Sequence, residues 1–142
     1  MKRFAAAALF VAFGATVAFA GPIEDRQAIM KGVAAATKTA VGIAKGETPF
    51  DAAKVKEILA VYQNAAAKMP TLFPEDSKIG NETTAAPKIW EDMAGFKAGF
   101  AKLAADSKAA EAATDTASFA AAFKTITGEC GTCHGTYRIK KG

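Results

Sequence analysis

The sequence predicts an all-α fold, an antiparallel four-helix bundle formed by a single domain. Three observations predict it. Apolar residues recur at helical spacing in four successive segments, and glycine or proline marks most of the joints between them. No sustained period-two alternation and no Asn-Gly turn marks a strand or hairpin. Alanine is abundant, which favours helix by propensity and lets helices approach closely. Four long helices with short joints in a chain of 142 residues are most simply an antiparallel bundle.

The N-terminus reads as a leader rather than as part of this fold. Lys2 and Arg3 precede an apolar run from Phe4 to Ala20 that closes on Ala18-Phe19-Ala20, a small-x-small cleavage pattern. The run is short for a membrane span, which takes about 20 apolar residues. Residues 1–20 are therefore expected to be a cleaved secretory signal, leaving 21–142 as the mature domain with no membrane span. The expected location is the periplasm.

The first helix is expected from Pro22, a residue suited to the first helical position. Glu24 and Asp25 suit the positive end of its dipole. Ile23, Met30, Val33, Thr37, Val41 and Ala44 form one apolar seam, and Gly46 stops it. Thr48-Pro49-Phe50-Asp51 looks like the cap of a second helix running to about Lys68, with Val55, Ile58, Leu59 and Tyr62 inward. Met69 to Ala86, with Pro70, Pro74 and Gly80, is a connection too long to be idle in a compact domain. A third helix is expected from about Pro87 to Ser107, with Ile89, Trp90, Met93, Phe96, Phe100 and Leu103 on its apolar face. A fourth starts near Thr116 or Ser118 and carries Phe119, Phe123 and Ile126 toward two cysteines.

Charge excludes one class of partner. Loss of Lys2 and Arg3 takes the formal net charge from +4 to +2. No basic stripe interleaved with aromatics is present, so nucleic acid is not an expected partner. Arg138, Lys140 and Lys141 form the one dense cationic spot, read as a solvated helix end in preference to a docking patch.

Cys130-Gly131-Thr132-Cys133-His134 carries the chemistry. A C-x-x-C-H run is the attachment pattern of haem c: two thiols add across two vinyl groups and the adjacent imidazole ligates iron. On a helix, residues three and four apart share a face, so Cys130, Cys133 and His134 point together. Gly128, Gly131 and Gly135 are expected to leave room where the backbone nears the macrocycle. A redox dithiol would be expected beside a βαβ pattern, which is missing. A structural zinc site wants four ligands, and this chain holds one histidine and two cysteines. A plain disulfide would not need the histidine. One covalent haem c on the C-terminal helix is the expected cofactor, and its two propionates would bring the net charge close to zero.

The chain resembles the class II c-type cytochromes, the cytochrome c′ family, over nearly all of the mature part. The resemblance rests on the C-terminal placement of Cys130-x-x-Cys133-His134-x-x-Tyr137-Arg138, on Arg26-Gln27-x-x-Met30-Lys31, and on the segment from Pro74 to Pro87-Lys88-Ile89-Trp90. It implies a haem held between helices with His134 as proximal iron ligand. It places position 30 on the opposite haem face, Arg26 and Gln27 near the haem edge, and Arg138 on the proximal side. Arg26 is then a candidate partner for a propionate. In the low-spin subgroup a Met at position 30 coordinates iron, which makes Met30 the expected distal ligand; Met69 and Met93 are poorer candidates. Other members leave the iron five-coordinate.

Two functions follow from the resemblance. With Met30 on iron, the expectation is a one-electron carrier shuttling between redox partner proteins. With Met30 off iron, it is a high-spin protein binding nitric oxide or carbon monoxide. No nucleophile–base constellation supports an enzyme. Related bundles pair through their first two helices, so a homodimer is one expected assembly.

Overall fold

The structure, a computed structural model, describes residues 21–140. The expected leader and Lys141 of the basic tail lie outside the described residues. Five helices follow in order: α1 (Pro22–Ala44), α2 (Ala52–Lys68), α3 (Lys88–Glu91), α4 (Met93–Ala109) and α5 (Thr116–Tyr137). The four long ones, α1, α2, α4 and α5, form the bundle. Each packs on its chain neighbour, and α5 returns to α1. No strand occurs among the described residues; Ala85 and Arg138 make one isolated antiparallel bridge. No helix among them is long and apolar enough to cross a membrane.

Local chemistry sets the helix ends. Pro22 opens α1, with Glu24 and Asp25 in its first turn. Gly46 closes it at φ +74°, a left-handed turn that lets the N–H groups of Glu47 and Thr48 return to the carbonyl of Gly42. That use of Thr48 corrects the expected cap of α2. Asp51 is the N-cap instead, accepting from the Lys54 N–H at 2.7 Å. Asp115 and Ser118 form a reciprocal capping box at the start of α5.

The third expected helix is two. The chain leaves helical geometry at Asp92 (φ −134°, ψ 55°), and its carboxylate caps α4 by accepting from the Gly95 N–H at 3.1 Å. The apolar spacing runs through this break unchanged, so periodicity alone does not reveal it.

The bundle core divides along its length. At one end Ile43 of α1, Val55, Ile58, Leu59 and Tyr62 of α2, and Phe119, Phe123 and Ile126 of α5 interlock. At the other end Phe73, Ile89, Phe96 and Phe100 cluster on one wall. Beside them lies a cavity of about 530 Å³, within the range of cofactor sites. The seam expected on α1 shifts accordingly. Ile23, Arg26, Ala40 and Ile43 are buried, while Val41 and Ala44 are only partly covered and Met30 and Val33 face the cavity.

The two ends should respond differently to truncation. Phe119→Ala at the packed end should cost about 3–5 kcal/mol. Denaturant unfolding of the haem-loaded protein would measure this, with its visible spectrum unchanged. A changed spectrum would show that the two ends are not independent.

Candidate functional site: the cavity at the open end of the bundle

Helix α5 supplies one wall of the cavity. Cys130, Cys133, His134, Tyr137 and Arg138 all line it, because steps of three and four residues keep them on one helical stripe. Both cysteines are free thiols and half-buried. The Cys130 thiol donates to the Ile126 carbonyl at 3.4 Å. Burial pushes both thiols above the usual range, so they are neutral near pH 7. Burial, helped by the charge of Arg138, lowers the pKa of His134 and favours the neutral imidazole that ligates metals.

Helix α1 supplies the facing wall with Ile23, Arg26, Gln27, Met30, Lys31, Val33 and Ala34. The expected haem and iron contacts Arg26, Gln27, Met30, Cys130, Cys133, His134 and Arg138 therefore all line one cavity. Met69 lines it too, but this side chain is buried in the aromatic cluster, whereas Met30 is half-buried at the wall. Met93 packs against the cluster and does not line the cavity.

Arg26 is 5% exposed. One terminal nitrogen donates to the Leu72 carbonyl and Ser77 Oγ, both at 3.0 Å. The other donates to the Ser77 carbonyl at 3.0 Å and to Thr83 Oγ1 at 3.2 Å. Its four terminal N–H groups are thus all given to the connection between α2 and α3. A propionate pairing would fall to Nε–H or displace one of these bonds. Gln27 donates to the Asn81 carbonyl at 2.9 Å.

The glycines of α5 are not where the sequence suggested. Gly128, Gly131 and Gly135 do not line the cavity; they lie off the stripe that carries the cysteines. Gly99 of α4 does line it, and a Cβ there would meet nothing within 4 Å. Sequence reasoning missed Gly99 and the Thr83–Ala85 wall. Gly99 lies one position before Phe100 and three after Phe96, a spacing that could have flagged a small residue on the cavity face.

Two thiols, a neutral imidazole and a predominantly apolar wall fit a covalently held porphyrin. The donor set does not fit a zinc centre, and no cluster of three His, Cys, Asp or Glu side chains occurs among the described residues. Fold and site together define a haem protein of the bundle type. The family model for Cytochrome C′ matches residues 21–138. Cytochrome c-556 of Agrobacterium fabrum is 42% identical, covering 99% of this chain and 97% of that one. The structure of cytochrome c′ from Rhodopseudomonas palustris superposes with a TM-score of 0.83 at 44% identity, covering 87% of this chain and 99% of that one. The nitric oxide complex of a point mutant of cytochrome c prime from Alcaligenes xylosoxidans superposes at 0.74 with 30% identity, covering 86% and 99%. The chain belongs to the cytochrome c′ family, whose members carry one covalently attached haem c.

The end of α5 is clamped to α4. The Tyr137 hydroxyl donates to Asp92 Oδ2 at 2.8 Å. A Cβ on Gly95 would crowd the Asp92 carboxylate and stand 2.7 Å from the Tyr137 hydroxyl, so a larger residue there would have to displace this pair. The bonds from Tyr137 and the Gly95 N–H hold the Asp92 carboxyl below its ordinary range; the same bond from Tyr137, with burial, pushes the phenol up. The carboxylate contribution is present above about pH 3.9 and lost as pH falls through the lowered value. The phenol contribution is present below about pH 10 and lost as pH rises through the raised one. Tyr137→Phe should therefore destabilise most between these limits, with the gap to wild type closing at both extremes. Denaturation midpoints across pH would measure it; a gap that stays constant would remove the clamp from the account.

Proposed function

We propose that this chain is an exported, periplasmic mono-haem electron carrier with His134 and Met30 as iron ligands. The observation that carries the proposal is that an imidazole and a thioether, from α5 and α1, line one cavity beside two thiols. Cys130 and Cys133 hold the porphyrin through thioethers, and His134 ligates from the same helix. Arg138 lies one turn beyond His134. When bound, the haem supplies an iron that exchanges a single electron.

The protein's own groups favour this role over catalysis. The cavity has no acid–base pair: Glu129, its carboxylate, bonds Lys102 at 3.0 Å, and His134 is assigned to iron. The aromatic cluster makes one wall of the cavity apolar. A thioether ligand raises the potential and completes the coordination shell. Redox proteins are the proposed partners, and the leader-like start of the sequence supports export to the periplasm.

A second reading rests on the apolar side chains of Val33, Phe73, Phe100 and Leu103 in the cavity wall. If Met30 only packs there, small neutral gases reach the iron. The nitric oxide complex of the related cytochrome c prime favours this alternative.

Two experiments test the assignment. Cys130→Ala combined with Cys133→Ala should leave all haem extractable into acidified acetone, while wild type retains it; retention in the double variant would refute thioether attachment. Met30→Leu should convert a low-spin spectrum insensitive to carbon monoxide into a high-spin one that shifts on adding the gas. A wild-type protein that already binds carbon monoxide rapidly would move the function to gas binding.

A further inference from the structure

We infer that Arg26 is a positioning residue that ties the Met30 helix to the His134 helix through the connection before α3. The inference rests on Met30 ligation as proposed above. Arg26 is a buried cation, yet its hydrogen bonds all go to neutral groups: two carbonyls and two hydroxyls on residues 72–83. The Phe73 ring sits 4.4 Å from its guanidinium carbon. Five donors in a rigid plane suit such a fan of acceptors, and no other side chain offers them.

The fan leads into the stretch of cavity wall formed by Thr83, Thr84 and Ala85. Thr83 Oγ1, which accepts from Arg26, also accepts from the Ala85 N–H at 3.2 Å. The Ala86 N–H donates to the Tyr137 carbonyl at 3.0 Å, and the Ile139 N–H to the Thr84 carbonyl at 2.8 Å. A continuous hydrogen-bonded strap therefore runs from Arg26 through Thr83 to the end of α5. Met30 lies one helical turn after Arg26. His134 lies one turn before Arg138, which bridges to Ala85. The strap grips both ligand-bearing helices one turn from their ligands, and so fixes the span between the two iron ligands.

Loosening the strap should release the weaker ligand. A lysine at position 26 offers a point charge that cannot serve acceptors spread over residues 72–83. Thr83→Val removes the hydroxyl that joins Arg26 to the Ala85 N–H, and leaves the other three bonds of Arg26 and the backbone bonds to α5 in place.

The test compares haem-loaded wild type, Arg26→Lys, Thr83→Val and Met30→Leu by visible spectrum and by carbon monoxide binding to the ferrous form, with circular dichroism as the check on folding. The expected result is a carbon monoxide-insensitive wild type, with the open form raised about tenfold in Arg26→Lys and Thr83→Val. Met30→Leu should be fully open. If Arg26→Lys fails to fold, Thr83→Val decides. Folded strap variants as insensitive as wild type, beside an open Met30→Leu, would overturn the strap and leave Met30 ligation standing. Rapid binding by wild type would overturn the ligation reading, and the strap with it.

Discussion

The hydrogen-bond demand of one buried cation organises the open end of the bundle. A guanidinium withdrawn from water must find acceptors for its protons or lose several kcal/mol. Arg26 finds them in a segment with little regular structure of its own. Residues 69–87 hold two short 3-10 turns and positive-φ positions at Gly80, Asn81 and Glu82. Without the fan of bonds from Arg26, the bond from Gln27 to Asn81 and the bond from the Trp90 indole to the Phe73 carbonyl, little would select one path for this chain. Burial lowers the Arg26 pKa, yet a guanidinium stays charged at any physiological pH. The constraint is therefore permanent.

Stability and function occupy opposite ends of the same four helices. The packed end interlocks aromatic and branched side chains, with Tyr62 bonded to Thr37 at 3.1 Å across α1 and α2. The other end replaces side chains with space on one side and an aromatic stack on the other, in which Phe73, Phe96, Phe100 and Tyr137 meet edge to face. Such a stack is stiff and makes a firm wall. An antiparallel arrangement is what brings the start of α1 and the end of α5 to this end together.

Much of this was legible in the sequence because helices translate spacing into direction. The Cys130 to Arg138 stripe could be read from steps of three and four, and so could the inward face of α2. Charge and turn chemistry were less legible. Thr48 and Asp51 both suit a cap, and the choice depends on how α1 closes at Gly46. At the break in the third helix, Asp92 caps α4 with one carboxylate oxygen and accepts from Tyr137, far along the chain, with the other. No local pattern records such a partner. Arg26 was placed at the site by resemblance, but its service to the connection follows from bonds to residues distant in sequence.

The charges around the cavity favour one oxidation state. Its cationic lining is Arg26, Lys31 and Arg138, and Glu129, the one carboxylate there, is drawn to Lys102. Adding an electron to the iron lowers its positive charge, so nearby cations stabilise the reduced form. The ionised propionates of a bound haem would oppose this, and least where water screens them or a cation meets them. Four of the five N–H groups of Arg26 are given to the connection, so its Nε–H and the more exposed Lys31 and Arg138 are the cationic groups left to meet them. The bonds that hold the connection in place therefore draw on the one buried cation of the cavity wall, so packing and charge at this end of the bundle are coupled through Arg26.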